Sequence, residues 1–268
     1  MDFQDFISTT LQQAAHTAMQ FFEKTASLVK PEDNNQVLTM ADLAVGKTVI
    51  AAIREKYPDH NIIDEEAGVT DNRSRFTWVI DPIDGTSNFA VGLPHWGVML
   101  GLLQDSEPIA GGLVLPVFNE LYTAAKGRGA FCNGVKLEVS KELQLKNMLV
   151  AHGIDGHQEN PELTKKECAR LALILLQIRN LRTTNSSYDA AMVAKGKYGA
   201  LINRTGRIWD NVAQQIVITE AGGLYTDLKG NRIDYSNPLT RVDQNFEDLA
   251  AAPQVHARLV ELLNLPVS

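Results

Sequence analysis

Two aspartates three positions apart, Asp81 and Asp84, stand at the end of the apolar run Trp78-Val79-Ile80 and are followed by Gly85-Thr86-Ser87-Asn88-Phe89. The β-branched and aromatic stretch from Thr77 to Ile80 suits a buried strand. Pro82 has no N–H to donate, so the ladder is predicted to stop there and leave both carboxylates at the strand's carboxyl end. Asp84-Gly85 is a turn dipeptide, and Thr86-Ser87-Asn88 can cap a following helix and aim free amides at an anion. A bare Asp-Gly is ordinarily no more than a turn. Two acids this close repel each other unless a cation joins them, so the stretch offers carboxylates for a cation beside amides for an anion.

Other acids join the candidates, each with an ordinary structural reading of its own. Thr39-Met40-Ala41-Asp42 is a capping box, in which Asp42 satisfies a free amide at a helix start. Asp64-Glu65-Glu66 follows the short apolar strand Asn61-Ile62-Ile63, and by itself an acidic triplet reads as a solvated loop. Asp210, in Ile208-Trp209-Asp210-Asn211-Val212-Ala213, sits where a helix N-cap belongs. His16 and His60 read as surface or helix residues without catalytic duty, and His95 as a residue that shapes the pocket. Gly127-Arg128-Gly129 is too weak a signal for a phosphate loop.

Taken together, Asp81-Pro82-Ile83-Asp84-Gly85-Thr86-Ser87-Asn88-Phe89 resembles the signature of the inositol monophosphatase family, Asp-Pro-(Ile/Leu)-Asp-Gly-Thr-x-Asn-Phe, and Trp209-Asp210 with Ala213 resembles the family's Trp-Asp-x-x-(Ala/Gly). The resemblance covers nearly the whole chain. It implies an α/β (α+β) chain folded as a layered αβαβα sandwich of the inositol monophosphatase and fructose-1,6-bisphosphatase type, usually a homodimer. It implies a metal ligand set of Glu65, Asp81, the carbonyl of Ile83, Asp84 and Asp210, with Glu66 as the alternative to Glu65. Asp42 matches the family's residue that holds a metal-bound water, and Glu65 and Thr86 would orient the attacking water. Gly85 and Thr86 would hold the phosphate beside Asp84. A ligand set made only of oxygen selects Mg²⁺, in two or three ions, over zinc or copper, and lithium sensitivity is implied by the resemblance alone.

Two departures concern the substrate. The inositol-phosphate members carry Gly-(Ser/Thr)-Ala where this chain has Asn185-Ser186-Ser187, and a Glu that grips sugar hydroxyls where it has Asn203. Ser187 and Asn203 are therefore the candidate substrate contacts, and Arg204 or Arg207 stands ready for a second anionic group. The expected reaction is Mg²⁺-dependent hydrolysis of a phosphate monoester, foremost myo-inositol monophosphate. Histidinol phosphate, fructose bisphosphate and 3′-phosphoadenosine 5′-phosphate are the alternatives, the last disfavoured because the nucleotidases tend to have Lys in place of Ser87. A regulatory or RNA-associated binding protein on the same fold is the alternative of another class.

The elements that must position these residues follow from periodicity. Phe3 to Phe22 repeats apolar residues at three and four and predicts a long amphipathic helix, with Met19 on its buried stripe. A polar, mobile loop is expected around residues 30–35, and then a second helix from Thr39 to Tyr57 burying Leu43, Ile50 and Ile53. Strands are predicted at 96–103, 109–117 and 120–125. From Val135 strands alternate with helices, which divides the chain into halves 1–134, with the first motif, and 135–268, with the second, together one phosphatase unit. Asn160-Pro161-Glu162 opens a helix whose apolar face is 171–178. A net charge of −7 argues against nucleic acid or membrane as main partner. Cys132 and Cys168 suggest neither a disulfide nor a zinc site and are expected to be buried thiols. The N-terminus lacks a secretory pattern and no run approaches a membrane span, so a cytoplasmic protein is expected.

Overall fold

The computed structural model describes residues 2–22 and 40–266 in full, with Leu28–Val29 (β1) and Val37–Leu38 (β2) as a two-stranded backbone ladder. The loop expected at 30–35 and the capping residue Thr39 lie outside the described residues.

An eight-stranded sheet is built from β3 (Asn61–Asp64), β4 (Gly68–Thr70), β5 (Phe76–Asp84), β6 (Gly97–Gln104), β7 (Glu107–Leu115), β8 (Glu120–Ala125), β9 (Gly129–Cys132) and β10 (Val135–Lys136). Its spatial order is β10-β9-β8-β7-β6-β5-β3-β4, antiparallel throughout except where β3 runs parallel to β5. A five-stranded sheet contains β11 (Leu149–Gly153), β12 (Asn180–Arg182), β13 (Ala200–Asn203), β14 (Leu224–Thr226) and β15 (Asp248–Ala251), in the order β12-β11-β13-β15-β14.

Helices α1 (Phe3–Met19) and α2 (Met40–Lys56) pack together on the first sheet. After the short α3 (Thr86–Ala90) and after α4 (Pro161–Leu175), α5 (Ser187–Ala194) and α6 (Ile208–Glu220) fill the space between the sheets, and α7 (Pro253–Leu263) packs with α4 beyond the second sheet. The layers therefore read αβαβα. Helix α6 carries the load of joining them, since Val212, Ala213, Ile216, Val217 and Ile218 are all buried between β-strands of both sheets. Among the described residues no helix is long and apolar enough to cross a membrane.

Packing corrects several expectations. Met19 is 42% exposed, because the α1 stripe runs through Phe6, Ile7, Leu11, Ala14 and Ala18. On α2 the buried face is Ala41, Val45, Val49 and Ile53, and Leu43 points outward. Asn160 caps α4 as expected, its side chain accepting from the Leu163 amide, but Leu175 and Leu176 lie on the surface and Ile174 alone of that helix's apolar residues is fully buried. Cys132 is buried and Cys168 exposed. His60 is not a free surface residue: its ring is stacked between Tyr57 at 4.9 Å and Phe76 at 4.7 Å, and its Nδ1 accepts the Trp78 indole N–H at 3.1 Å. Glu220 takes the amides of Gly127 and Gly129 at 2.9 and 2.8 Å, so a carboxylate of this chain fills the Gly-Arg-Gly turn.

Candidate active site

Strand β5 does not stop at Pro82. It continues to Asp84 through a bulge: Asp81 pairs with Met99 and Asp84 with Gly97, so three steps along β5 match two along β6. Residues i and i+3 of a regular strand point to opposite faces. One extra residue cancels that alternation and re-aims the side chain beyond it, which is how Asp81 and Asp84 come to share one site. Pro82 sits in the bulge, where its missing N–H costs no ladder bond.

Asp210 reaches the same place from α6. Its expected role as N-cap is corrected, since Arg207 is the N-cap and Asp210 is the third helical residue, its carboxylate accepting the Arg207 amide. One carboxylate oxygen from each of Asp81, Asp84 and Asp210 lies within 4.8 Å of the others. The Ser187 amide at the start of α5 donates to Asp84. That approach requires glycine on β6, for a Cβ on Gly97 would stand 2.5 Å from the Ser187 hydroxyl and 2.8 Å from the Val114 carbonyl.

Glu65 follows β3, and its amide donates to the Ile80 carbonyl at 3.3 Å, which sets it abreast of Asp81 on the cavity wall. Its neighbours are turned elsewhere. Asp64 is buried and its Oδ1 accepts the amides of Glu66 and Ala67 at 2.9 and 2.7 Å. The acidic triplet is thus a side-chain-locked turn rather than a continued strand, and Glu66 lies outside the cavity wall. Asp42 is fully buried on α2, near enough for its charge to act on Asp81.

These charges oppose one another. Burial, then Glu65, Asp84, Asp210 and Asp42, holds the Asp81 carboxyl well above the ordinary carboxylate range. Burial and the Asp210 charge push Asp84 up to about 7 against the Ser187 amide, and burial pushes Asp210 to about 6 against the Arg207 amide. Asp81 Oδ1 is buried without a hydrogen-bond partner. Crowded carboxylates with an orphaned oxygen are what a hard cation satisfies, so the residues present fit Mg²⁺.

Beside them the chain turns at Gly85, whose φ of 80° lies in the left-handed region that glycine adopts freely. Thr86 donates its hydroxyl to the Ile83 carbonyl at 2.9 Å, and Asn88 ties down the carbonyls of His95 and Thr184 at 2.7 and 2.8 Å. All open on a cavity of about 770 Å³.

The opposite wall comes from the second sheet. Asn203 gives its amide N–H groups to Asp248 at 3.1 and 3.3 Å, leaving its oxygen on the Gly153 side. Asp248 is buried, which pushes its carboxyl to about 8 despite the Asn203 hydrogen bond. Asp155 accepts from Thr205 at 2.7 Å and from Asn185 at 3.2 Å. Asn185 has a φ of 50°, so the Asn in place of the family's Gly keeps a left-handed turn that Asn tolerates. Ser187 is buried behind the wall, and Ser186 lines the cavity in its stead. Arg204 turns away toward Glu247 at 3.5 Å, and Arg207, on the rim, donates to the Asp243 carbonyl. Asp155, Thr205, Gln214 and Asn245 line the cavity without a motif to mark them; for Gln214 alone a signal existed, its place one helical turn after Asp210.

A sequence profile of the Inositol monophosphatase family matches residues 2–264. The chain belongs to the inositol monophosphatase family. Its curated relatives include Inositol monophosphatase 1 of Homo sapiens, 30% identical over 236 residues, 86% of this chain and 85% of that one. They also include a protein named Nus factor SuhB from Xylella fastidiosa, 34% identical over 185 residues, 69% of this chain and 66% of that one. Among solved structures, the Thermotoga maritima IMPase superposes with a TM-score of 0.86 at 26% identity, covering 98% of this chain and 97% of that one. Membership supports a metal-dependent phosphatase, and the αβαβα layering is that of these inositol monophosphatase structures.

Proposed function

We propose that this chain hydrolyses the phosphate monoester of a small neutral polyol, with myo-inositol monophosphate the foremost substrate. The observation that carries the reading is one cavity with two unlike ends: Asp81, Asp84 and Asp210 converge at one, and the other presents Asn203, Asn185 and Thr205, uncharged hydrogen-bonding groups suited to hydroxyls. Arg204 and Arg207, the cations that a second phosphate would need, are engaged by Glu247 and the Asp243 carbonyl. This weighs against fructose bisphosphate and 3′-phosphoadenosine 5′-phosphate.

Mg²⁺, in two or three ions, would supply a Lewis acid for the phosphoryl oxygens and lower the pKa of a bound water. Asp81, Asp84, Asp210, Glu65 and the Ile83 carbonyl would hold the ions. Glu65 then orients the attacking water and accepts its proton, with the Thr86 hydroxyl as second guide. The amides of Gly85 and Thr86 hold the phosphate, and Asn203 accepts from a hydroxyl of the alcohol. Lithium sensitivity, a homodimer and a cytoplasmic location go with this reading, as does one phosphatase unit made from the halves 1–134 and 135–268.

A phosphate-release panel with and without Mg²⁺ tests it, comparing inositol monophosphate with histidinol phosphate, fructose bisphosphate and 3′-phosphoadenosine 5′-phosphate. The expected winner is the inositol ester, only with Mg²⁺. Preference for a bisphosphate overturns the polyol assignment, and no turnover of any ester leaves the second reading. That reading, a regulatory or RNA-associated binding role, is favoured by the likeness to proteins named Nus factor SuhB.

A further inference from the structure

Gln214 is a polar residue of the cavity that the proposed mechanism leaves unused. It follows Asp210 by four residues on α6, so the two side chains lie one above the other on the same face. The residue is 4% exposed, yet it forms part of the cavity wall. Its amide is oriented from one side: Nε2 donates to the Met99 sulfur at 3.6 Å, and Met99 is the ladder partner of Asp81. A thioether accepts weakly from N–H and repels a carbonyl oxygen, so this contact turns Oε1 the other way. Oε1 is buried and has no hydrogen-bond partner. Leaving such an acceptor buried and unsatisfied is costly, and a group bound in the cavity that Gln214 lines would satisfy it.

We propose that Gln214 is a further oxygen donor of the cation site, through which Oε1 binds the divalent ion or a water of its hydration shell. This rests on the reading of the site as one for a divalent cation. A neutral donor suits the place, because the site already gathers Asp42, Glu65, Asp81, Asp84 and Asp210, and a sixth carboxylate would add repulsion whenever the ion leaves. An amide contributes a lone pair and no charge.

The test is Mn²⁺ binding to the full chain by titration calorimetry or by loss of the free-ion resonance signal, in wild type, Gln214→Met and Gln214→Glu, with melting curves in EDTA. Wild-type binding checks the parent reading separately; a wild type that takes up no Mn²⁺ overturns both. Given wild-type binding, Gln214→Met keeps the volume and loses the oxygen, and its affinity is expected to fall by about tenfold or more, the range for groups that support metal ligands. Gln214→Glu keeps an oxygen, so it should bind at least as tightly as wild type while melting lower in EDTA. If Gln214→Met melts with wild type and binds Mn²⁺ equally well, Gln214 is packing and the proposal falls. If Gln214→Met fails to fold, Gln214→Glu decides: undiminished affinity with a lower metal-free melting point supports an oxygen facing the ion, and lost affinity overturns it.

Discussion

The two ends of the cavity are built on different principles. At the cation end, like charges are forced together: Asp81 and Asp84 by a strand bulge, Asp210 by the first turn of α6, Glu65 by the turn that Asp64 locks. Burial and neighbouring charge work against the ionised form of Asp81 and Asp84, and burial alone against that of Asp210. At the alcohol end the groups satisfy one another already, Asn203 on Asp248 and Thr205 and Asn185 on Asp155. One end stores electrostatic conflict for binding and chemistry, and the other is a preformed hydrogen-bonding surface. The difference teaches where substitutions should separate activity from stability.

The largest effect is expected for Asp84→Asn. Removing a charge from the ligand set should abolish turnover, and because it relieves repulsion among carboxylates, the melting temperature in EDTA should hold or rise. Phosphate release and melting curves check both, and an active Asp84→Asn enzyme would break the division between the two ends. Glu65→Gln comes next. A group that accepts the water's proton acts in the transition state, so kcat should fall by about 10²-fold or more with little change in KM. Glu66→Gln should stay within a few-fold, because Glu66 is turned off the wall by the Asp64 lock. Thr86→Ala should resemble Glu65→Gln, and the double mutant should be less than additive since both guide one water.

The stored conflict also has a pH signature. The carboxyls of Asp84 and Asp210 are raised to about 7 and about 6, and that of Asp81 is held well above the ordinary carboxylate range. A carboxyl raised on folding binds its proton more tightly in the folded chain. Its contribution to stability is full below the unfolded value near 4 and is lost as pH rises through the folded one. In EDTA the melting temperature should therefore decline from about pH 5 to about pH 8, and Mg²⁺ should restore it at the upper end. A decline that Mg²⁺ does not reverse would place the crowded carboxylates outside the ion's reach.

The same contrast explains what was legible in the sequence. The cation end is written in short stretches, so Asp81, Asp84, Glu65 and Asp210 could be picked out by motif, and the layered fold followed from the family those motifs indicate. The bulge could not be read, because Pro82 reports only a missing donor and not how β6 runs past it. The choice between Glu65 and Glu66 could not be read either, because it depends on a turn held by the Asp64 carboxylate. The faces of α1, α2 and α4 were misjudged at Met19, Leu43 and Leu175 because periodicity does not say which stripe meets the sheet. The alcohol end was least legible: Asn203 meets Asp248 from 45 positions away and Thr205 meets Asp155 from 50, pairings set by strand order alone.

The smallest effect sharpens the comparison most. If the alcohol end is preformed, Asp248 acts on substrate only through Asn203, by holding its N–H groups and so fixing which side of the amide the alcohol meets. Asn203→Ala removes one hydrogen bond worth about 0.5–1.5 kcal/mol, a few-fold to roughly tenfold in KM, and should leave kcat nearly unchanged because the contact is as strong in the ground state as in the transition state. Above about pH 8, where the Asp248 carboxylate can only accept, Asp248→Asn can no longer force the orientation, since an amide both donates and accepts; there it should raise KM by less than Asn203→Ala does, and the double mutant should add nothing beyond Asn203→Ala. Steady-state kinetics on the inositol ester reads all three. A fall in kcat for Asp248→Asn would mean that this carboxylate, through its neighbour Asp210, belongs to the cation end after all, and the boundary between the two ends would move one strand deeper into the second sheet.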